Sequence, residues 1–305
     1  MTSRVRRLVR LTLFGKSPLG VALRLNGWVW RRLPSWLTAA RPIRAYGALL
    51  HVLARQQTRR QSFGTFFLRN RPELDLIRRL AHRTGDGSTL TIAVVACSVG
   101  AEAYSILWAI RSARPDLKVV LHAIDVSQAA LDFAELGVYT VGPSRFHDGS
   151  IFERVTEREM EQMFERQAAS RRIRAWLREG IVWHRADAGD PDLPEVLGRH
   201  DIVVANRFLC HMDPPDAERC LRNVARLLTP GGHLFVSGID LDVRTKVSRD
   251  LGWKPLPDLM AAIHDGDPSL RRQWPCGYTG LEPLDTTRAD WRVRYASVFQ
   301  VGERR

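Results

Sequence analysis

The sequence is poor in features that define several major protein classes, and each shortage excludes one of them. It has four cysteines in 305 residues, and no two of them form a C-x-x-C motif, so neither a disulfide scaffold nor a zinc knuckle is expected. No apolar run approaches the ~20 residues that a membrane-spanning helix needs. With 45% hydrophobic and 26% charged residues, the composition is instead typical of a globular protein with a substantial core.

Acidic residues are absent from the first 72 positions, where fifteen basic residues lie; the first carboxylate is Glu73. The rest of the chain has 31 basic and 33 acidic residues. The formal net charge of +13 therefore comes from one N-terminal region and not from the body of the protein. Such an asymmetry indicates that this region contacts a polyanionic surface.

The basic region also contains many apolar and aromatic residues, among them Trp28, Trp30 and Trp36, and it is interrupted by glycines and prolines. We divide the chain into this Arg/Trp-rich extension, residues 1–60, and a domain at 61–305. Short amphipathic helices on an anionic membrane would account for the composition. Packing of the tryptophans against the body, with solvated arginines, would account for it equally well. An organelle-targeting presequence is a third alternative. From Pro42 onward, apolar residues at helical spacing predict a short docking helix.

From residue 89 the pattern alternates between strands and helices. Continuous apolar runs are typical of strands buried on both faces of a parallel sheet, and we expect a doubly wound α/β fold with helices on both faces. A capping box, Thr156-x-x-Glu159, predicts the start of a helix that runs to about Gln167. The predicted strands are 89–96, 117–124, 180–185, 201–205, 233–237 and 292–301, and the predicted helices include 102–111, 128–136 and 216–228.

Polar residues follow successive predicted strands, at the edge of the sheet where α/β folds bind ligands. Gly100 follows the first strand, and it allows a tight turn that brings a ligand against the next helix. The second strand ends at Asp125, whose carboxylate could accept both hydroxyl protons of a ribose. Each residue also has a structural alternative, since Gly100 could serve only the turn and Asp125, followed by Ser127, could form a helix-capping turn. The dinucleotide motif G-x-G-x-x-G is missing, which disfavours NAD or FAD.

Four segments of the chain stand out together: 65–70 (TFFLRN), 97–105 (CSVGAEAYS), 123–127 (AIDVS) and 201–212 (DIVVANRFLCHM). In order and spacing, across residues 63–238, they resemble the CheR-type chemotaxis-receptor methyltransferases. The segment at 97–105 is the most specific, and the Pro-Gly-Gly turn at 230–232 is shared by many methyltransferases. The resemblance implies a Rossmann-like class I methyltransferase with a mostly parallel seven-stranded sheet and S-adenosylmethionine as cofactor. The basic N-terminal extension, which we expect to be a helical arm, precedes this region.

The same resemblance implies roles for individual residues. Thr65 and Arg69 match a segment that faces the cofactor and the active site, and Arg69 would position the acceptor or cofactor by its planar fork of donors. Glu102 matches a cofactor-binding glutamate, and Asp125 matches the ribose-binding aspartate. Asp187, followed by Ala188, falls where the family has an asparagine beside the adenine.

Two departures from the family pattern lie where the methyl acceptor should enter. Asn206 and Arg207 occupy an Arg-Asn pair in swapped order, and we include both among the expected cofactor contacts. His211 stands in place of a tyrosine near the site of methyl transfer. His211 could act there as a base for a hydroxyl or amine acceptor, or it could be a packing residue at a helix start. The family's N-terminal helical domain is not recognisable in the sequence.

The sequence therefore predicts a methyltransferase of CheR type that methylates a carboxylate, such as a protein glutamate. Two alternatives stay open: a small-molecule or lipid-like acceptor on the same fold, and a regulatory module that binds the cofactor without turnover. Nucleic acid is not favoured as a partner, because the body is slightly acidic. We expect a cytoplasmic protein, membrane-associated if the arm binds lipid. Segment 239–290 is either a cap over the acceptor pocket, with Asp240, Asp242 and Arg244 at its mouth, or an insertion on the sheet edge, and we predict no metal site.

Overall fold

The computed structural model describes residues 18–38, 40–55, 64–142, 150–266, 274–278 and 280–302. The predictions for residues 1–17, and for residues 267–273 and 279 within segment 239–290, lie outside these ranges. The strands are β1 (Thr89–Val95), β2 (Lys118–Asp125), β3 (Val138–Thr140), β4 (Phe164–Arg166), β5 (Ser170–Ile173), β6 (Ile181–Arg185), β7 (His200–Val204), β8 (Leu228–Phe235), β9 (Lys254–Pro255) and β10 (Val298–Gln300).

Seven of these strands form one sheet in the order β6-β2-β1-β7-β8-β10-β9. The pairs from β6 to β8 are parallel, whereas β10 runs antiparallel to both β8 and β9. The register places Val95 of β1 opposite Ile124 and Asp125 opposite Arg185, so the carboxyl ends of the central strands share one edge. The predicted mostly parallel seven-stranded sheet is confirmed.

Helices cover both faces of this sheet. Alternate residues of β1 point to opposite faces, so that Ile92 and Val94 belong to one hydrophobic core and Ala93 and Val95 to the other. The helices are α1 (Pro18–Trp30), α2 (Ser35–Thr38), α3 (Arg41–Ala54), α4 (Arg71–His82), α5 (Ala101–Arg111), α6 (Gln128–Leu136), α7 (Glu157–Met163), α8 (Ala175–Arg178), α9 (Leu193–Leu197), α10 (Pro214–Val224), α11 (Leu241–Asp250), α12 (Met260–Gly266) and α13 (Trp291–Tyr295).

The predicted capping box begins α7. The hydroxyl of Thr156 accepts the amide of Glu159, and the Glu159 carboxylate accepts the amide of Thr156. Hydrogen bonds from Arg71 of α4 lower the pKa of Glu159 to about 2, so the box also joins two helices. The helix ends at Met163, earlier than predicted, because Phe164 begins β4 and pairs with Ile173 of β5 in a small second sheet.

One predicted strand in the last third of the chain needs correction. The final strand is shorter than predicted, since Trp291–Tyr295 is helical and β10 begins at Val298. The four-residue pattern RVRY fits one helical turn as well as a strand, and Arg294 points from that helix toward Asp242. Within segment 239–290, helix α11 packs on α10, and β9 pairs at the edge of the sheet.

The N-terminal helices dock on the body through a small hydrophobic cluster. Leu23 of α1 and Leu50 and Ala54 of α3 are buried together, and Cys276 packs against them. Trp30 meets Trp274 edge to face at 5.2 Å. The helix that is predicted from Pro42 onward is confirmed as α3, and its buried face includes Leu50.

Candidate active site

A cavity of about 370 Å³ opens at the carboxyl edge of the central strands. Nine of the ten site residues expected from the sequence line it, although they come from distant parts of the chain. The structure thus brings together the following predicted side chains: Thr65, Arg69, Glu102, Asp125, Asp187, Ala188, Asn206, Arg207 and His211.

Asp125 is the last residue of β2 and is almost fully buried beside the cavity. One carboxylate oxygen accepts the amide of Ser98 at 2.8 Å, and the other accepts the amide of Ser127 at 2.9 Å. A carboxylate has about four acceptor positions, so these two bonds fix its orientation and leave capacity for further donors. Ser127 caps α6 with its own hydroxyl. The structure thus contains the helix-capping turn that the sequence allows at Asp125 and Ser127, and this turn lies beside the cavity.

The turn after β1 forms the cavity wall with an unusual backbone. Ala96 and Ser98 both have positive φ, at 56° and 51°. This conformation is uncommon for residues with a side chain and is found at functional sites. It directs the amide of Ser98 toward Asp125. Sequence reasoning included Ser98 only as part of the segment 97–105 and gave it no role, because its backbone amide and not its side chain contacts Asp125.

Gly100 is the one predicted site residue that does not line the cavity. It precedes α5 with φ at 81°, so glycine is favoured by the backbone alone. An added Cβ would also lie 2.9 Å from side-chain atoms of Ala134 and Trp183. The residue therefore permits the turn and the close packing of α5 on α6 and β6, and it stands behind the ligand cavity.

Asn206 follows β7 and joins two carboxylates. Its amide nitrogen donates to Glu73 at 2.6 Å and to Glu102 at 2.9 Å, while its carbonyl oxygen accepts the amide and the hydroxyl of Ser237. Both Glu73 and Asn206 are buried. Glu73 was missed by sequence reasoning because an acid in the first turn of a helix is an ordinary stabilising feature.

Arg207 lines the cavity in a left-handed backbone conformation, with φ at 64°. Its amide donates to the carbonyl of Ser237 at 2.9 Å. The chain after β8 passes so near that a Cβ on Gly238 would lie 2.6 Å from the Arg207 Cα atom. The backbone at 206–207 is therefore held from both sides, and Arg207 stays at the cavity in a conformation that arginine disfavours.

Arg69 and Thr65 are supplied by the segment that precedes α4. Phe67 and Leu68 are fully buried and fasten this segment to the core, and the Leu68 amide donates to the Ser105 hydroxyl. The Arg69 guanidinium lies 4.3 Å above the ring of Phe66 and donates to the Gly64 carbonyl. A planar guanidinium stacked on a ring has its donor edge directed by that packing.

The opposite wall comes from the short turn after Arg207. His211 ends a 3₁₀ turn and lines the cavity together with Phe208 and Met212, which sequence reasoning did not identify. The Cys210 amide donates to the Gly238 carbonyl at 2.7 Å, which fixes the turn. Both alternatives for His211 stay open, since a packing residue at the end of this turn can also line the cavity.

Strand order separates charges along this edge. Asp187 follows β6 and Asp125 ends β2, on one side of β1, whereas Arg207 follows β7 on the other side. Asp187 also accepts the amide of Gly189 and so forms its own turn.

Burial raises the pKa of Cys97 well above its usual range, so this cavity thiol stays protonated near neutral pH.

The described residues contain no group of three His, Cys, Asp or Glu side chains that could hold a metal ion. Asp240 and Asp242 are instead paired with Arg55. In the described part of segment 239–290, no side chain lines the cavity. Arg244 is fully buried and donates to the carbonyls of Val236 and Arg294, so none of the three residues expected at the mouth lies there. A cap formed by the rest of the segment stays a prediction.

Comparison with known protein families gives one match of high coverage. The family described as CheR methyltransferase, SAM binding domain, matches residues 64–241, which is more than half of the chain. The matched region contains β1 to β8 and every residue named above as lining the cavity.

Two curated relatives carry the name "Probable biofilm formation methyltransferase WspC". The protein from Pseudomonas aeruginosa is 28% identical over 177 residues, which cover 56% of this chain and 40% of the relative. The protein from Pseudomonas putida is 24% identical over 212 residues, which cover 67% of this chain and 47% of the relative. The chain thus spans less than half the length of either relative.

Two solved structures with partial similarity are methyltransferases by name. An O-methyltransferase family protein from Burkholderia thailandensis has a TM-score of 0.38 at 15% identity, covering 99% of this chain and 76% of that protein. Magnesium protoporphyrin IX methyltransferase from Synechocystis, with bound SAM, has a TM-score of 0.36 at 15% identity, covering 60% and 69%.

The donors and acceptors at the cavity fit S-adenosylmethionine. The cofactor combines a ribose diol, which needs an acceptor such as the fixed carboxylate of Asp125, with positive charge at its sulfonium and amino groups. Glu102 lines the same cavity and supplies negative charge for those groups. The predicted class I methyltransferase fold and its cofactor are both confirmed by the family match and the sheet order.

Proposed function

Because the chain belongs to the CheR methyltransferase family, we propose that it transfers a methyl group from S-adenosylmethionine to a carboxylate, such as a glutamate side chain of a protein. The observation that carries this proposal is the composition of the cavity. Asp125, whose carboxylate can accept hydrogen bonds from ribose hydroxyls, lines the same cavity as Arg69 and Arg207. Arginine is the side chain best suited to hold a carboxylate in a defined orientation.

For the cofactor, we assign Asp125 to the ribose hydroxyls, and Asp187 with Ala188 to the region of the adenine. Glu102 would face the positively charged methionine part, and Thr65 would contact the cofactor from the segment before α4. Asn206 supports this arrangement from behind, since it holds Glu102 by a hydrogen bond.

The methyl acceptor would bind on the β7 side of β1, where Arg207 lines the cavity. Arg207 and Arg69 would bind the two oxygens of an incoming carboxylate, with Phe208 and Met212 limiting access of water. The planar guanidinium of an arginine matches the geometry of a carboxylate. A carboxylate is already ionised near neutral pH, so the reaction needs no general base.

The bound cofactor supplies an electrophilic methyl group, and the protein has to orient the nucleophile. Arg207 and Arg69 would hold the acceptor carboxylate so that one of its oxygens faces that methyl group, and Phe208 and Met212 would keep water away from it. Holding both groups at near-attack distance can supply most of the rate enhancement. The fixed position of Arg69 over Phe66 serves this orientation.

A second candidate keeps the cofactor and changes the acceptor. His211 lines the cavity in place of the family's tyrosine, and a neutral imidazole could accept the proton of a hydroxyl or amine. This candidate predicts a small-molecule or lipid-like substrate. A regulatory module without turnover is the third.

The chemical stability of the product distinguishes these candidates. The protein is incubated with tritiated S-adenosylmethionine and bacterial lysate, and labelled products are treated with alkali. We expect label in the protein fraction that alkali releases as volatile methanol, as a carboxylate methyl ester requires. Alkali-stable label or labelled small molecules would contradict the carboxylate proposal, and cofactor binding without any label would indicate the regulatory module.

Asp125→Asn tests the cofactor assignment independently. The amide cannot accept as the carboxylate does, and loss of a hydrogen bond to a charged group costs about 1.5–3 kcal/mol. Calorimetry should therefore show S-adenosylmethionine binding weakened by about tenfold or more. Asp132→Asn, on the outer face of α6, is the matched control and should bind normally. Unchanged affinity in the folded Asp125 variant would refute the assignment.

A further inference from the structure

Exposed apolar side chains are concentrated in the N-terminal helices. The described chain has fourteen large hydrophobic residues with exposed side chains, and eight of them lie between residues 18 and 55. Clusters of exposed apolar side chains mark surfaces that a partner molecule or a membrane covers. We call these eight residues the arm surface. They are Val21, Leu25, Trp28, Val29, Trp36, Tyr46, Leu49 and Val52.

On α1 the exposed apolar residues form one stripe. Val21, Leu25 and Trp28 recur at intervals of four and three residues, which places them on one side of the helix. Leu23 and Gly27 are buried on the other side. A helix that is apolar on both faces belongs inside a larger apolar environment, and the body of the protein covers only one face.

Basic residues lie among the residues of this surface in the sequence. Residues 18–55 contain six arginines and no acidic residue. Arg55 forms ion pairs with Asp240 and Asp242 of the main domain and does not belong to this surface. Arg32 lies 3.6 Å above the ring of Trp28, which places a guanidinium directly beside an exposed apolar group. The remaining four are Arg24, Arg31, Arg41 and Arg44.

From this juxtaposition of an apolar stripe and positive charge, we propose that the arm surface lies on a lipid bilayer with anionic headgroups. Tryptophan rings and aliphatic side chains enter the headgroup–acyl boundary, and arginines pair with lipid phosphates. Helix α1 has 13 residues and is about 20 Å long. In the described residues, no helix is long and apolar enough to cross a membrane, so the helices lie along the surface.

The chemistry of the surface distinguishes a bilayer from other partners. A second copy of the chain would bring arginines against arginines, with no acid in this region to compensate. A nucleic acid would satisfy the arginines but gain nothing from aliphatic side chains such as Leu25 and Val52, which an acyl layer buries.

Vesicle sedimentation of the full chain tests the proposal, with vesicles of phosphatidylcholine alone or mixed with phosphatidylglycerol. Point variants are used in place of truncation, since Arg55 neutralises the buried Asp240. We expect binding to the mixed vesicles only. Arg24→Gln with Arg41→Gln should weaken it by about fivefold for each arginine, and Trp28→Ser with Trp36→Ser should weaken it by at least tenfold.

Matched controls come from the body of the protein. Val196→Ser with Leu251→Ser removes two comparably exposed apolar side chains, and Arg158→Gln with Arg199→Gln removes two exposed arginines. These variants should bind as the wild type does. Equal binding by arm and control variants would overturn the proposal. So would a dimer, seen by light scattering and lost in the Trp28/Trp36 variant, without vesicle binding. Neither result depends on methyl transfer.

Discussion

Arg207 combines a strained backbone with a place at the cavity. Its φ of 64° lies in the left-handed region, which asparagine tolerates several times better than most residues. In the family order that the sequence reverses, an asparagine would occupy this position. The reversal therefore places an arginine at the cavity, in a backbone conformation that is less favourable for arginine than for asparagine. Strain of this kind is typical of functional positions.

Arg207→Asn should separate stability from activity. Relief of the backbone strain should raise the free energy of unfolding by about 0.5–1 kcal/mol, while loss of the guanidinium should lower the rate of methyl transfer. Urea unfolding and single-turnover labelling measure the two effects. Arg199→Asn, in an exposed loop without positive φ, should change neither. A destabilised Arg207 variant would show that the side chain contributes more than the strain costs.

Individual site residues differed in how far sequence could identify them. Asp125 and Glu102 were found because one is an acid at the end of a buried strand and the other lies inside a specific motif. Ser98 was given no role and Glu73 was not found, because their importance comes from partners that are distant in sequence. Glu73 meets Asn206 across 133 positions, and no local pattern records such a contact.

At the scale of the strands, three histidines meet on one face of the sheet. His122 of β2 lies 4.9 Å from the rings of both His184 of β6 and His200 of β7. The intervening strand contributes Ala93 opposite His122, and its small side chain leaves room for the rings. Burial lowers the pKa of all three and brings the pKa of His200 to about 4.

This cluster should make the fold sensitive to mild acid. The unfolded chain takes up a proton near pH 6.5 and folded His200 only near pH 4, so stability falls as the pH decreases between these values. From about pH 7.5 to about pH 5, His200→Gln should lose about 2 kcal/mol less stability than the wild type. Urea unfolding at both pH values measures this difference. The exposed His82→Gln is the control, and parallel pH profiles for all three proteins would contradict the prediction.

The elements that the sequence predicted best are the central ones. Strands β1, β2 and β7 have continuous apolar runs because both faces of each are buried, and their bounds differ from the predictions by about a residue. The small sheet of β3, β4 and β5 was missed, since strands of three or four residues are too short to show a period. The alternation of polar and apolar residues at 292–301 also led to the prediction of a strand where Trp291–Tyr295 forms a helical turn.

At the scale of the whole molecule, one ion pair joins the N-terminal helices to the body. Arg55, at the end of α3, donates to Asp240 at 2.5 Å and to Asp242 at 2.9 Å. Asp240 is only 1% exposed and caps α11 by accepting the amide of Asp242. A buried carboxylate of this kind depends on its charged partner.

Arg55→Gln should destabilise the entire protein. It leaves the Asp240 carboxylate buried without a counter-charge, which costs about 3 kcal/mol. Urea unfolding should show one transition at a lower midpoint, because the contact links the arm to the body. Arg41→Gln, an exposed arginine at the start of the same helix, should leave the midpoint unchanged. A normal midpoint for the Arg55 variant would mean that the arm docks independently of this pair.

The same ion pair has a consequence for the choice of substrate. Asp240 follows β8 by five residues, and the chain between them includes Ser237 and Gly238, which hold Asn206 and Arg207. An arm resting on lipid would therefore keep the cavity mouth at a constant height above the headgroups. Acceptors would then be selected by reach as well as by chemistry: only a segment anchored nearby, and long enough to bridge that gap, could present its carboxylate for methylation.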